Sequence, residues 1–296
     1  MLMVAGIVFL LDFTIGKILR HFYFKETSGM HYRTTYSMDS TRAEVLVFGS
    51  SRANHHYVPG VFEDSLHQTF YNAGRDGNGI FFQVALLNSI LKRYTPKVII
   101  LEYSGEFEKG NFDFDKLTSL LPYYETHEEI RDLVEQKNPF EKIKSLSQIY
   151  PFNSQALTIG VGNLEINKTR MHDDKGYVPL YKEWKNELDS APHPSTYIVD
   201  TNKINAFRKF IVTAKNLGVK IFVIKSPVFQ AFYKSQGIYI CNTVCSEEKI
   251  PFWDFSNDTT FLNNKRLFQD VVHLNNNGAT VFSKLVTNKI LHYKSE

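Results

Sequence analysis

The sequence predicts an α/β protein, a three-layer α/β/α arrangement around a mainly parallel five-stranded sheet with an insertion after the third strand. Three observations predict it. Short runs with a continuous apolar centre, such as EVLVFGS (44–50) and KVIILEYS (97–104), have strand length and no alternating solvent face. Such strands belong to a parallel sheet covered on both sides. They alternate with helical spacings, and that alternation stops between Gly105 and Asp200 before resuming.

The elements follow in order. MLMVAGIVFLLDFTIGKIL is apolar to Leu11, interrupted by Asp12, and apolar again to Leu19 with Lys17 inside. A spanning helix needs about 20 apolar residues, so residues 1–21 read as an uncleaved membrane anchor, with an interfacial helix as the alternative. No basic n-region or small-x-small cleavage site marks a signal peptide. Residues 22–42 are polar and aperiodic and read as a linker, leaving 43–296 as the folded domain. Within it, 44–50 is the first strand, 58–68 a helix, 69–74 a short strand and 78–94 an amphipathic helix. Residues 97–104 form the third strand and about 106–200 the insertion. A helix over 201–218 closes on Gly218, the usual C-terminal cap. Strands over 219–228 and 250–256 and a helix over 276–293 complete the chain.

Composition narrows the function. The 34 basic and 31 acidic residues give a net charge of +3 in 296 residues, too even a balance to argue for nucleic acid. Cys241 and Cys245 imply neither a disulfide scaffold nor a zinc site.

Chemistry should gather at the carboxyl ends of the strands. These ends are Gly49-Ser50-Ser51, Asn72-Ala73-Gly74, Tyr103-Ser104-Gly105 and Ser226-Pro227. Far downstream, QDVVHLNNNG places Asp270 and His273 three apart in a loop before the last helix. Alone, that spacing is equally a cap or a surface pair. Joined to Ser51, it supplies a nucleophile, a base and a carboxylate that orients the base.

GSSR, NAGRDG and DVVHLNNNG resemble the first, second and fifth blocks of the SGNH (GDSL-like) hydrolase family. The resemblance covers about residues 44–106 and 201–296, leaves out the insertion, and implies the flavodoxin-like fold of that family. It implies Ser51 as nucleophile, with Ser50 where the family has aspartate, and His273 and Asp270 as base and orienting acid. It further implies the N–H groups of Ser51 and Gly74 as oxyanion donors. The family's third-block asparagine has no counterpart in EYSGEF. Ser104 is the substitute to consider, with Asn78 a poorer one. The missing asparagine and the apolar N-terminus resemble the membrane-anchored branch, similar to D-alanyl transfer and polysaccharide O-acetylation proteins. That branch implies an O-acylated, chiefly O-acetylated, envelope glycan or small ester as substrate, a membrane-bound acyltransferase as partner and an extracytoplasmic domain. Lys17, Arg20 and Lys25 argue the other way, since positive charge after a span keeps the downstream chain in the cytoplasm.

The remaining motifs are weighed on their residues. GRDGNG has the wrong glycine spacing for a dinucleotide site. His55 and His56 are adjacent, point apart on an extended chain and lack a carboxylate at ligand spacing, so no metal is expected and no cofactor is required. Arg52 and Arg75 flank the proposed pocket, either to bind an anionic substrate group or to form ordinary ion pairs. The aromatics of DDKGYVPLYKEW (173–184) either stack on sugar rings or pack within the insertion. The sequence thus predicts a serine esterase or O-acyltransferase, against the alternative of a non-catalytic glycan-binding or scaffold protein on the same fold.

Overall fold

The computed structural model describes residues 2–103, 105, 107–110, 112–164, 173–185, 197–230 and 236–294. Five strands, β1 (Val45–Phe48), β2 (Phe70–Asn72), β3 (Val98–Glu102), β4 (Lys220–Lys225) and β5 (Phe252–Asp254), form one sheet in the order β2-β1-β3-β4-β5. Every pairing is parallel; Val45 lies between Phe70 and Val98, and Val98 opposite Lys220. The order reverses at β1, which opens a crevice at the carboxyl ends of β1 and β3.

Helices in chain order are α1 (Leu2–Lys25), α2 (Gly29–Asp39), α3 (Ser51–His56), α4 (Pro59–Leu66), α5 (Ile80–Leu91) and α6 (Phe112–Lys116). They continue with α7 (Arg131–Glu135), α8 (Glu141–Lys144), α9 (Ala156–Asn163), α10 (Thr201–Asn216), α11 (Gln236–Glu247) and α12 (Asn276–His292). Because side chains alternate along a strand, the sheet feeds two cores. Leu46, Phe48, Ile99 and Leu101 pack with α5 and α10, whereas Val45, Val47, Val98 and Ile100 pack with Tyr57, Phe62, Phe282 and Val286. Cys241 and Cys245 are free, buried thiols on α11. The fully buried aromatics each contribute roughly 2–3 kcal/mol of apolar burial.

Two expectations are corrected. Residues 22–42 are no linker: the polar stretch is the end of α1 followed by α2, which buries His31, Arg33, Thr34, Ser37 and Met38. Its polar atoms are satisfied from far away in sequence. Arg93 donates to the carbonyls of Ser37, Met38 and Thr41 and so terminates α2, while the Arg75 guanidinium donates to Thr34 Oγ1 at 2.5 Å. In turn α5, expected to be amphipathic, is buried on nearly every side, from Ile80 to Ile90, because α2 and the insertion cover its outer face.

The turn from β1 into α3 depends on Gly49. Its φ is +144°, and a Cβ there would lie 2.8 Å from Ala53 Cβ and 2.9 Å from Glu102 Cβ. Its carbonyl also accepts from Arg75 N–H and Gln83 Nε2. Gly49→Ala is therefore expected to cost about 1–3 kcal/mol. Gly60→Ala, whose Cβ would meet nothing within 4 Å, should be neutral; urea titration of both variants checks the contrast.

Candidate active site

Strand β1 delivers Ser51 as the first residue of α3, where the helix leaves its first N–H groups without intrahelical acceptors. The facing loop comes from the other end of the chain. Asn275 caps α12 by accepting Gly278 N–H at 3.0 Å, and Gly278 passes so close to Leu267 that a Cβ would sit 2.1 Å from its carbonyl oxygen. Gln269 N–H then donates to His273 carbonyl at 2.8 Å, closing the turn that carries Asp270.

His273 Nε2 lies 2.7 Å from Ser51 Oγ, and His273 Nδ1 lies 2.8 Å from Asp270 Oδ2. Asp270 Oδ1 accepts the N–H groups of Val272 and His273, each at 2.9 Å. Burial raises the Asp270 pKa, but the bonds from His273 and the two amides outweigh it and hold the carboxyl below its usual range. An ionised Asp270 accepts a hydrogen bond from Nδ1–H, which keeps the proton there and leaves Nε2 as the acceptor for the Ser51 hydroxyl. Such a chain can draw a proton from a serine as its oxygen attacks a carbonyl carbon.

Behind these residues lies a buried polar network that sequence reasoning missed. Glu102, at the end of β3, accepts from Tyr57 Oη, from Ser226 N–H at 3.1 Å and from Ser226 Oγ at 2.7 Å. The Arg52 Nε lies 3.4 Å from the same carboxylate. Burial raises the Glu102 pKa against the opposing pull of Arg52 and its hydrogen bonds. His56 links this network to the loop of His273. Its Nε2 accepts Leu274 N–H at 2.9 Å, so its Nδ1 carries the proton and donates to Ser226 Oγ at 2.9 Å. His56 thus holds the residue next to His273, and the chain of donors ends on Glu102. One signal was available: Glu102 is the lone acid closing the apolar run VIILE.

Other predicted site residues fall differently. The N–H of Gly74 donates to its neighbour Asn72 Oδ1 at 3.0 Å, while Asn72 Nδ2 donates to Ala53 carbonyl at 2.7 Å. An Asx turn thus engages the Gly74 donor internally. Ser104 lies outside the described residues. Asn78 is likewise engaged, its amide donating to Asp76 carbonyl at 3.0 Å. Arg52 donates to Tyr103 carbonyl at 2.7 Å beside Glu102, and Arg75 reaches Thr34 over the Phe82 ring. Both guanidiniums are buried ion-pair or hydrogen-bonding groups, the second of the two readings given for them. His55 and His56 sit on a helix rather than an extended chain. His55 bonds Val178 carbonyl through Nδ1 at 2.7 Å and faces Asp76 through Nε2 at 3.3 Å. Among the described residues no group of three or more His, Cys, Asp or Glu could hold a metal ion.

The insertion returns to border this site. Lys175 carbonyl accepts Asn72 N–H at 2.8 Å, Val178 N–H donates to Asn54 carbonyl, and Asn276 N–H donates to Leu180 carbonyl at 2.6 Å. Trp184 N–H then reaches Phe268 carbonyl. Of its aromatics, Tyr177 and Trp184 are in the core and Tyr181 is 78% exposed. An open cleft of about 390 Å³ is lined by Lys182, Glu183, Trp184, Lys185 and Gln269, and none of Ser51, Asp270 or His273 lines it.

No family model matches the sequence, and no curated protein matches it. Among solved structures, a catalytic mutant of an acetylxylan esterase from Geobacillus stearothermophilus aligns with a TM-score of 0.44 and 10% identity, covering 86% of this chain and 96% of that one. The acetyl xylan esterase AlAXEase aligns with a TM-score of 0.40 and 10% identity, covering 83% of this chain and 98% of that one. What the site can do rests on its own geometry.

His56 offers a stability test. Burial lowers its pKa well below the usual histidine value, helped by His273, Arg52 and His55. The unfolded chain therefore takes up a proton that the folded chain refuses, and stability must fall as pH drops below about 6.5. Denaturation across this range should show wild type losing up to about 1.4 kcal/mol per pH unit more than His56→Gln.

Proposed function

We propose that this chain is a membrane-anchored serine esterase or O-acyltransferase whose substrate is an O-acylated, chiefly O-acetylated, envelope glycan. The observation that carries the reading is the unbroken chain from Ser51 Oγ to His273 at 2.7 Å and on to Asp270 at 2.8 Å. Ser51 attacks the acyl carbonyl while His273 accepts the hydroxyl proton. The tetrahedral intermediate collapses to an acyl-serine, and His273 returns that proton to the departing alcohol. Water as second acceptor completes hydrolysis, and a sugar hydroxyl completes transfer. The N–H of Ser51, at the start of α3, is the oxyanion donor this reading uses.

The glycan part of the reading is supported by the exposed Tyr181 ring and by the open cleft along Lys182–Lys185, which suit a sugar chain lying across the insertion. The membrane part is supported by α1, a 24-residue helix whose apolar turns before Asp12 are exposed, from Leu2 at 91% to Leu11 at 53%. A membrane-bound acyltransferase supplying the acyl group would fit an anchored partner of this kind, with the domain outside the cytoplasm.

One observation favours a non-catalytic scaffold instead: the Gly74 N–H is taken by Asn72, and losing one oxyanion donor typically costs on the order of 10²–10³ in turnover. Labelling by a serine-reactive fluorophosphonate, with mapping of the modified peptide, separates the two. Labelling at Ser51, with aryl acetate hydrolysis that Ser51→Ala lowers at least about 10³-fold, is the outcome expected. Asp270→Asn should lower the same rate on the order of 10²–10⁴-fold by releasing the wrong tautomer. An unlabelled Ser51, with glycan binding retained in Ser51→Ala, would leave the scaffold standing.

A further inference from the structure

The apolar run of α1 contains one carboxylate, and the fold explains it. Asp12 accepts Ser147 Oγ at 2.5 Å, Gln148 N–H at 2.8 Å and Ile149 N–H at 3.4 Å. One turn on, Gly16 lies flush against Gln148, where a Cβ would sit 2.4 Å from its carbonyl carbon. From there α1 stays fastened to the domain. Arg20 donates to Pro122 carbonyl, Tyr23 Oη donates to Tyr123 Oη, and Asn163 Nδ2 donates to Phe22 carbonyl.

This fixes the depth of the domain. The described turns before Asp12 extend about 15 Å at 1.5 Å per residue, half of a hydrocarbon core of about 30 Å. The polar loop 147–149 does not belong in that core, since its irregular backbone would lose hydrogen bonds to water. Asp12 and its loop therefore lie at the boundary of the bilayer, with Leu2–Leu11 below it. Beside them the insertion exposes Phe140, Ile143 and Leu146, three apart and 61%, 64% and 78% accessible. Lys142 lies among these residues, Lys144 is paired with Glu141 at 2.8 Å, and Lys17, Arg20 and Lys25 line a hollow on α1 beyond Asp12 in which Arg20 also faces Glu125.

Resting on the reading of α1 as a membrane anchor, we infer that the Phe140–Leu146 edge of the insertion is a second membrane contact, seated in the interface of a bilayer with anionic headgroups. The apolar residues enter the headgroup–acyl boundary and the lysines meet lipid phosphates, the division of labour of an interfacial amphipathic element. The edge ends at Leu146, next to Ser147, which is bonded to Asp12 of α1; this adjacency to the exposed apolar turns of α1, with Lys142 and the basic hollow, selects lipid over a second copy of the chain.

The test uses the full chain in vesicles of phosphatidylcholine with phosphatidylglycerol. Single cysteines at Leu146, Phe9 and Tyr239 carry an environment-sensitive fluorophore; Cys241 and Cys245 are buried and stay unlabelled in the folded protein. Nitroxides on the lipid chains should quench Phe9→Cys and Leu146→Cys at least about twofold more than Tyr239→Cys. Quenching at Leu146 should also exceed that in phosphatidylcholine alone. Quenching at Phe9 with none at Leu146, or a blue-shifted but unquenched Leu146 label that reports a protein cover, overturns the inference alone. No quenching at Phe9 either would remove the anchor reading as well, while Ser51 labelling is read out independently.

Discussion

The buried Glu102 carboxylate is the charge around which the carboxyl edge of the sheet is assembled. It collects donors from Tyr57 and Arg52 on one side and from Ser226 at the end of β4 on the other. Through Ser226 and His56 it reaches Leu274, and through Leu274 the turn that carries His273. A charge removed from water is tolerated only when its lone pairs are met. Here that demand forces four chain segments into one register. The hydroxyl of Ser51 and the ring of His273 face one another as a by-product of satisfying an acid that neither touches.

Much of this was legible in the sequence because it is written locally. Apolar runs of strand length between helical spacings gave the parallel sheet, and the Gly218 stop marked a helix end. Ser51, Asp270 and His273 stood out because a hydroxyl closing a strand and an Asp-x-x-His turn are short patterns. What escaped was long-range. The polar 22–42 stretch lacks apolar period because its helix is satisfied by Arg93 and Arg75, and no local window contains those partners. Asn72 looks like a strand-end amide until its side chain is seen closing on Gly74. Arg52 was balanced between two readings, and only the position of Glu102 decides between them.

The insertion also has a divided nature that its composition conceals. Its first part, through α6 to α9, packs on α1, α2 and α5 and contributes Tyr123, Phe152 and Ile159 to the main core. Its last part, from Asp173 to Trp184, contributes Tyr177 and Trp184 to the opposite core. One excursion of the chain thereby clamps both faces of the sheet, and its two ends have different duties: fastening the N-terminal helix, and framing the cleft.

The strip at Lys175–Gly176 has a consequence of its own. β2 is an outermost strand, and a bare strand edge is a template on which another chain can pair and start an aggregate. Here the Asn72 amide is already matched by Lys175 carbonyl, and Gly176 sits so close that a Cβ would fall 1.9 Å from Asn72 carbonyl oxygen. This short stretch of the insertion is thus the seal on the sheet. Loosening it would bare the outer edge of β2 to other chains, so its hold on Asn72 bears on colloidal behaviour as much as on packing.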